Sequence, residues 1–181
     1  MVGVCDEVNS WLGMILAELG RLPDHEDGGE RTNVQRVQTV LNEALVRVQN
    51  ELFDVGAELA CPPATLPEYM VLISQAQTDV LMEEMDAWLA TLPDLTSFIL
   101  PAGSPAVATM HVARTVVRRL ERSIVNLVET EGEGAVRPLV MVYVNRLSDW
   151  FFVMGRWASM MLNEEEALWF PLGKRPAEKG I

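Results

Sequence analysis

The chain has 181 residues, 49% of them apolar and only 7% aromatic, and a formal net charge of −12. That length suits one domain with a sizeable core, and the acidity excludes nucleic acid as a partner for the surface as a whole. Cys5 and Cys61 are isolated thiols without metal-type spacing, which excludes a disulfide scaffold and suits a reducing compartment.

Five helices are predicted in chain order. The first runs from about Cys5 to Gly20, with Val8, Trp11, Leu12, Ile15, Leu16 and Leu19 on one stripe. Asp6 and Glu7 interrupt its start before an apolar stretch can form, so no secretory signal is expected. A turn-rich polar break, Leu22 to Gly29, follows. The second helix covers about Thr32 to Ala60, with Val34, Val37, Leu41, Leu45, Val48, Leu52 and Val55 near heptad spacing, and Pro62-Pro63 ends it. The third is predicted over about Glu68 to Thr91, stopping at Pro93. Between Pro93 and Pro105 two further features stand out: Pro101, and an exposed-looking Phe98-Ile99-Leu100. The fourth helix starts near Ser104, an N-cap candidate followed by Pro105, and reaches about Glu129. The fifth runs from about Val136 to Asn163.

The most apolar window, Pro138 to Leu162, carries Asn145, Arg146, Asp149 and Arg156. It is too polar for a membrane span, and a soluble cytoplasmic protein is expected. The pattern predicts an all-α, up-and-down five-helix bundle of ferritin-like type over residues 1–163. Residues 164–181 form a polar C-terminal tail, expected to be mobile. The broad apolar faces, above all on the fifth helix, suggest surface buried between subunits.

Against an acidic background, Arg114, Arg118, Glu121 and Arg122 recur on one face of the fourth helix, with Arg119 just to the side. Arginine forks match phosphate oxygens and stay charged at any relevant pH. A polyphosphate ligand is one reading, in which Glu121 orients an arginine or holds a cation that bridges phosphates. A solvated face of weak ion pairs is the other. On the fifth helix, Asn145 and Asp149 lie one turn apart in an apolar setting and need partners if buried. Asn145 suits a nucleoside or phosphate and Asp149 an arginine of the fourth helix, or the two belong to a structural network. Asp6 and Glu7 read equally well as acids at a helix start. A di-iron carboxylate bundle needs Glu-x-x-His pairs, and neither His25 nor His111 has Glu three residues before it.

Six stretches together resemble the cobalamin adenosyltransferase family that forms trimers of five-helix subunits. They are Asp6-Glu-Val-Asn-Ser10, Gln49 to Ala60, Ser97-Phe-Ile-Leu-Pro-Ala-Gly-Ser104, His111-Val-Ala-Arg-Thr115, Arg118-Arg-Leu-Glu-Arg122 and Asn145-Arg-Leu-Ser-Asp149, in the family's order and spacing. The resemblance implies transfer of the 5′-deoxyadenosyl group of ATP to cob(I)alamin. Reduced cobalt is then the nucleophile, so no catalytic Ser, Cys or His is required. It further implies that Arg118, Arg119, Glu121, Arg122 and Asn145 contact ATP or its Mg2+, with Glu121 toward the metal. Arg114 would pair with Asp6 of a neighbouring subunit in a homotrimer. Phe98 would sit in the cobalamin pocket, excluding the lower axial base. A cob(II)alamin reductase and an adenosylcobalamin-dependent enzyme are the implied partners. The family normally begins with a Thr-Arg-Thr-Gly-Asp-like loop around the ATP phosphates, and these residues hold no equivalent. Backbone cradles of that kind carry much of a polyphosphate's binding. The expectation is therefore a start recorded too late or, alternatively, a non-catalytic cobalamin-binding or carrier relative.

Overall fold

The computed structural model of the chain describes residues 1–23 and 30–173, the side chains of 30–32 excepted. Most of the predicted break after Leu22 and the last residues of the tail lie outside that range. The described residues form α1 (Val2–Leu19), α2 (Glu30–Leu59), α3 (Gln75–Leu89), α4 (Pro105–Glu131) and α5 (Pro138–Met161). The all-α bundle is borne out.

Periodicity explains the assembly. Cys5, Val8, Leu12, Ile15 and Leu19 are the buried stripe of α1, and the near-heptad series from Val34 to Val55 is the buried stripe of α2. Helix α4 packs on both α1 and α5, α3 packs on α5, and α1 packs on α2. An ion pair from Arg47 to Glu84 at 2.7 Å ties α2 to α3 and closes the ring. The fifth helix is buried on nearly every side, from Val140 through Tyr143, Trp150 and Phe151 to Trp157. Its breadth of apolar surface is thus used within the chain, because α5 lies between α3 and α4.

Two expectations are corrected. The third helix begins at Gln75, not near Glu68. Ser74 and Gln77 form a capping box there, which satisfies the first orphan N–H groups and fixes the start. The preceding chain is held out of the helix from a distance: the Ile73 N–H donates to Glu58 at 2.5 Å, and Arg137 donates to the Ile73 carbonyl. The segment after α5 is not a loose tail over its first residues. Asn163, at φ 55°, turns the chain back, and Ile99 and Leu168 form an antiparallel bridge. The Leu100 N–H donates to Ala167 and the Trp169 N–H to Phe98, at 2.7 and 2.8 Å.

Candidate functional site

Helix α4 starts where Ser104 and Pro105 predict, although the Ser104 hydroxyl makes no capping bond. Its inner face carries Val107, Met110, Val117 and Leu120 into the core, which forces the arginines to the outer face. Arg118, Arg119 and Arg122 are exposed, and Arg114 and Glu121 are half-buried. Arg119 forms an ion pair with Glu7 of α1. Helix α1 begins at Val2 and has no acid in its first turn, so Glu7 is not a helix-start acid but an inter-helix partner. Arg118 and Arg122 have no carboxylate partner among the described residues.

Between α4 and α5, Asn145 Nδ2 donates to Glu121 Oε1 at 2.7 Å. The pair faces a groove of about 290 Å³ walled by Ile124, Val125, Met141 and Val142. One oxygen of Glu121 is thereby engaged, and the groove offers an apolar floor with a polar rim. Asp149 does not reach an arginine of α4. It pairs with Arg146 at 2.9 Å on its own helix, in an exposed position, because the closer i, i+3 neighbour is available.

A second and larger cleft of about 780 Å³ lies further toward the start of α4, lined by Leu95, Phe98, Ile99, Arg114, Phe152 and Trp169. Phe98 is 77% exposed and meets the Trp169 ring edge-on, with centroids 5.9 Å apart. Arg114 lies over the Phe152 ring at 6.0 Å, a cation–π distance. Its Nε is buried without an acceptor. Burial, and then the neighbouring Arg118 charge, lower its pKa from the usual arginine value. A half-desolvated guanidinium beside a second one, with no carboxylate partner among the described residues, is suited to meeting an anion. Asp6 is exposed on α1, and only its carbonyl is engaged, by the Ser10 hydroxyl. Within one chain it is not brought to Arg114.

One turn before Arg114, His111 is buried, with Nδ1 unpartnered. Burial and then Arg114 push its pKa down, opposed by Glu166. Six of the predicted site residues therefore fall into three groups: Phe98 with Arg114, Glu121 with Asn145, and Arg119 with Arg122 on a shallow surface that Met1 borders, while Arg118 and Asp6 line none of these. Sequence reasoning passed over Trp169, Phe152 and the Glu7 pairing. None of them has a local pattern, since each depends on which elements become neighbours.

Residues 1–158 match the family described as Cobalamin adenosyltransferase. A corrinoid adenosyltransferase of Mycobacterium tuberculosis is 42% identical over 174 residues, 96% of this chain and 80% of the relative. The corrinoid adenosyltransferase of Bacillus subtilis is 37% identical over 154 residues, 85% of this chain and 70% of the relative. Among solved structures, a variant PduO-type ATP:corrinoid adenosyltransferase from Lactobacillus reuteri, complexed with cobalamin and ATP, superposes with a TM-score of 0.73. It shares 31% identity and covers 93% of this chain and 83% of its own.

Proposed function

This chain belongs to the cobalamin adenosyltransferase family, it transfers the 5′-deoxyadenosyl group of ATP to cob(I)alamin, and we propose how its residues divide that work. The cobalt(I) lone pair attacks C5′ of ATP. A cobalt–carbon bond forms, the C5′–oxygen bond breaks, and triphosphate departs with the electron pair. No side chain needs to act as nucleophile. The protein contributes orientation, charge neutralisation and exclusion of water.

Arg118, Arg119 and Arg122 receive the triphosphate. The observation that carries this assignment is the Glu121–Asn145 pair at a groove on the α4 face where Arg118 and Arg122 have no carboxylate partner among the described residues. Asn145 holds Glu121 in place, and Glu121 is the protein's ligand to Mg2+. No cluster of three or more metal-ligating side chains occurs among the described residues. A single carboxylate nevertheless suits Mg2+, which commonly takes one or two from the protein and the rest from phosphates and water. When bound, that ion offsets the charge of the leaving triphosphate.

Phe98 occupies the corrinoid side. A large apolar ring beneath the macrocycle displaces the lower axial base and favours a four-coordinate cobalt that is easier to reduce. Arg114, whose guanidinium has no carboxylate partner among the described residues, pairs with Asp6 of a neighbouring subunit in a homotrimer, so that each site is completed between protomers. A reductase supplies cob(I)alamin, and an adenosylcobalamin-dependent enzyme receives the product. We place this chemistry in the cytoplasm, in keeping with the two free thiols.

The test is direct. Purified protein is mixed anaerobically with chemically reduced cobalamin and MgATP, and adenosylcobalamin and triphosphate are quantified together. They are expected in equal amounts. Cobalamin binding without either product would overturn the assignment.

A further inference from the structure

The loop that carries Phe98 is fastened more thoroughly than its exposure requires. Arg156 sits in α5 only 4% exposed, and its guanidinium faces two ways. Nε donates to Glu166 Oε1 at 2.8 Å, while the same group donates to the Pro93 carbonyl at 2.9 Å. One buried cation thus grips both the start of the loop and the returning C-terminal segment. Between these points the Ser97 hydroxyl and the Trp169 N–H tie residues 97 and 98 to Trp169, and the Leu100 N–H reaches Ala167. At the far end, Glu164 accepts the Ser104 N–H at 2.8 Å.

Ordering a loop costs conformational entropy, normally offset by burying its side chains. Here the central ring stays largely in solvent. Burying a guanidinium is also costly unless its charge is met with good geometry. Both costs make sense if the quantity being controlled is where the Phe98 ring stands. We propose that Arg156 and Glu166 form a clamp that positions Phe98 toward the corrinoid, making both positioning residues of the cobalamin half of the site. The proposal rests on the reading of Phe98 given above.

The variants are Glu166→Gln, Arg156→Lys, Phe98→Ala and the double variant Phe98→Ala/Glu166→Gln. Glu166→Gln removes the charge from the less buried partner, 22% exposed against 4% for Arg156, and keeps an oxygen that can accept from the guanidinium. Arg156→Lys keeps the charge but cannot fork to two acceptors. Three readouts separate positioning from mere stability: the KM for each substrate, the electron paramagnetic resonance spectrum of bound cob(II)alamin, and the melting temperature. Glu166→Gln is expected to raise the cob(I)alamin KM about tenfold while the ATP KM stays within about twofold. It should also restore the nitrogen splitting that reports a coordinated lower base. Combined with Phe98→Ala it should add almost nothing, since two residues acting through one ring are not additive.

If Phe98→Ala impairs cobalamin handling and Glu166→Gln does not, the clamp is wrong and the Phe98 reading stands. Additive losses in the double variant, or equal losses for ATP and cobalamin, would also overturn the clamp. If Phe98→Ala itself leaves the spectrum and both KM values unchanged, the reading beneath the proposal fails and takes the clamp with it. Should Arg156→Lys fail to fold, Ser97→Ala carries the same test, because its bond lies at the surface.

Discussion

Between α2, α3 and α5 a set of charged and aromatic polar side chains answer one another within the chain. Arg47 reaches both Glu51 and Glu84, Glu51 also takes the Tyr143 hydroxyl at 2.6 Å, and Glu84 takes the Trp150 indole N–H at 2.7 Å. Burial, reinforced by Glu51, raises the Tyr143 pKa well above the usual phenol value, so it stays a donor. Along the outer face of α4 the same residue types are left open: Arg118 and Arg122 without a carboxylate among the described residues, Arg114 with an orphaned Nε. Charge in the interior must be met completely, because each unmet group there carries the full desolvation cost. Charge left unmet at a cleft is inexpensive to the fold and available to a ligand. The two regions therefore separate what holds the bundle together from what it works with.

That separation is breakable by substitution. Arg118→Ala should lower kcat/KM for ATP by roughly 10- to 1000-fold, the loss expected for a charge-assisted contact to phosphate. The melting temperature should hardly move, since no carboxylate partner among the described residues is abandoned. Steady-state kinetics with varied MgATP measures the first and calorimetry the second; near-normal kinetics would remove this arginine from the site. Tyr143→Phe should do the reverse. Losing one hydrogen bond to a charged acceptor removes about 1.5–3 kcal/mol of stability, while activity per folded molecule stays close to normal. Urea denaturation gives the first figure. A large fall in turnover with unaltered stability would mean that the internal network is not merely structural.

Much of this arrangement is legible in the sequence, and what is not has a physical reason. The heptad-like series of α2 and the arginine spacing of α4 are local, so both were recoverable from periodicity. The Ser74-to-Gln77 capping box was equally local, but the stretch from Glu68 reads as helical because its restraints, Glu58 and Arg137, come from distant helices. Likewise Asn145 is recognisable as a polar residue needing a partner, yet its choice of Glu121 depends on α4 and α5 being neighbours. Arg156 reads in sequence only as an argument against a membrane span. Its grip on Pro93 and Glu166 exists because the chain after α5 doubles back.

The smallest expected effect tests a residue that stands between the two regions. His111 belongs to α4 but points inward, its ring against Gly155, with Cε1 3.7 Å from where a Cβ there would lie. Arg114 and Glu166 are the charged groups that act on it, and burial is the largest cause of its lowered pKa. With the folded value depressed, the unfolded chain takes up a proton first as pH falls below the ordinary histidine value near 6.5. The folded state then binds fewer protons than the unfolded one, so stability is present above that pH and declines with acidification. A series of melting temperatures between about pH 5.5 and 7, above the range where most carboxylates titrate, should show this decline. In His111→Gln the same series should be flatter, at whatever absolute stability the variant has. Parallel slopes would mean that His111 accepts its proton in the folded protein as easily as in the open chain, and that the interior side of α4 is wetter than its burial implies.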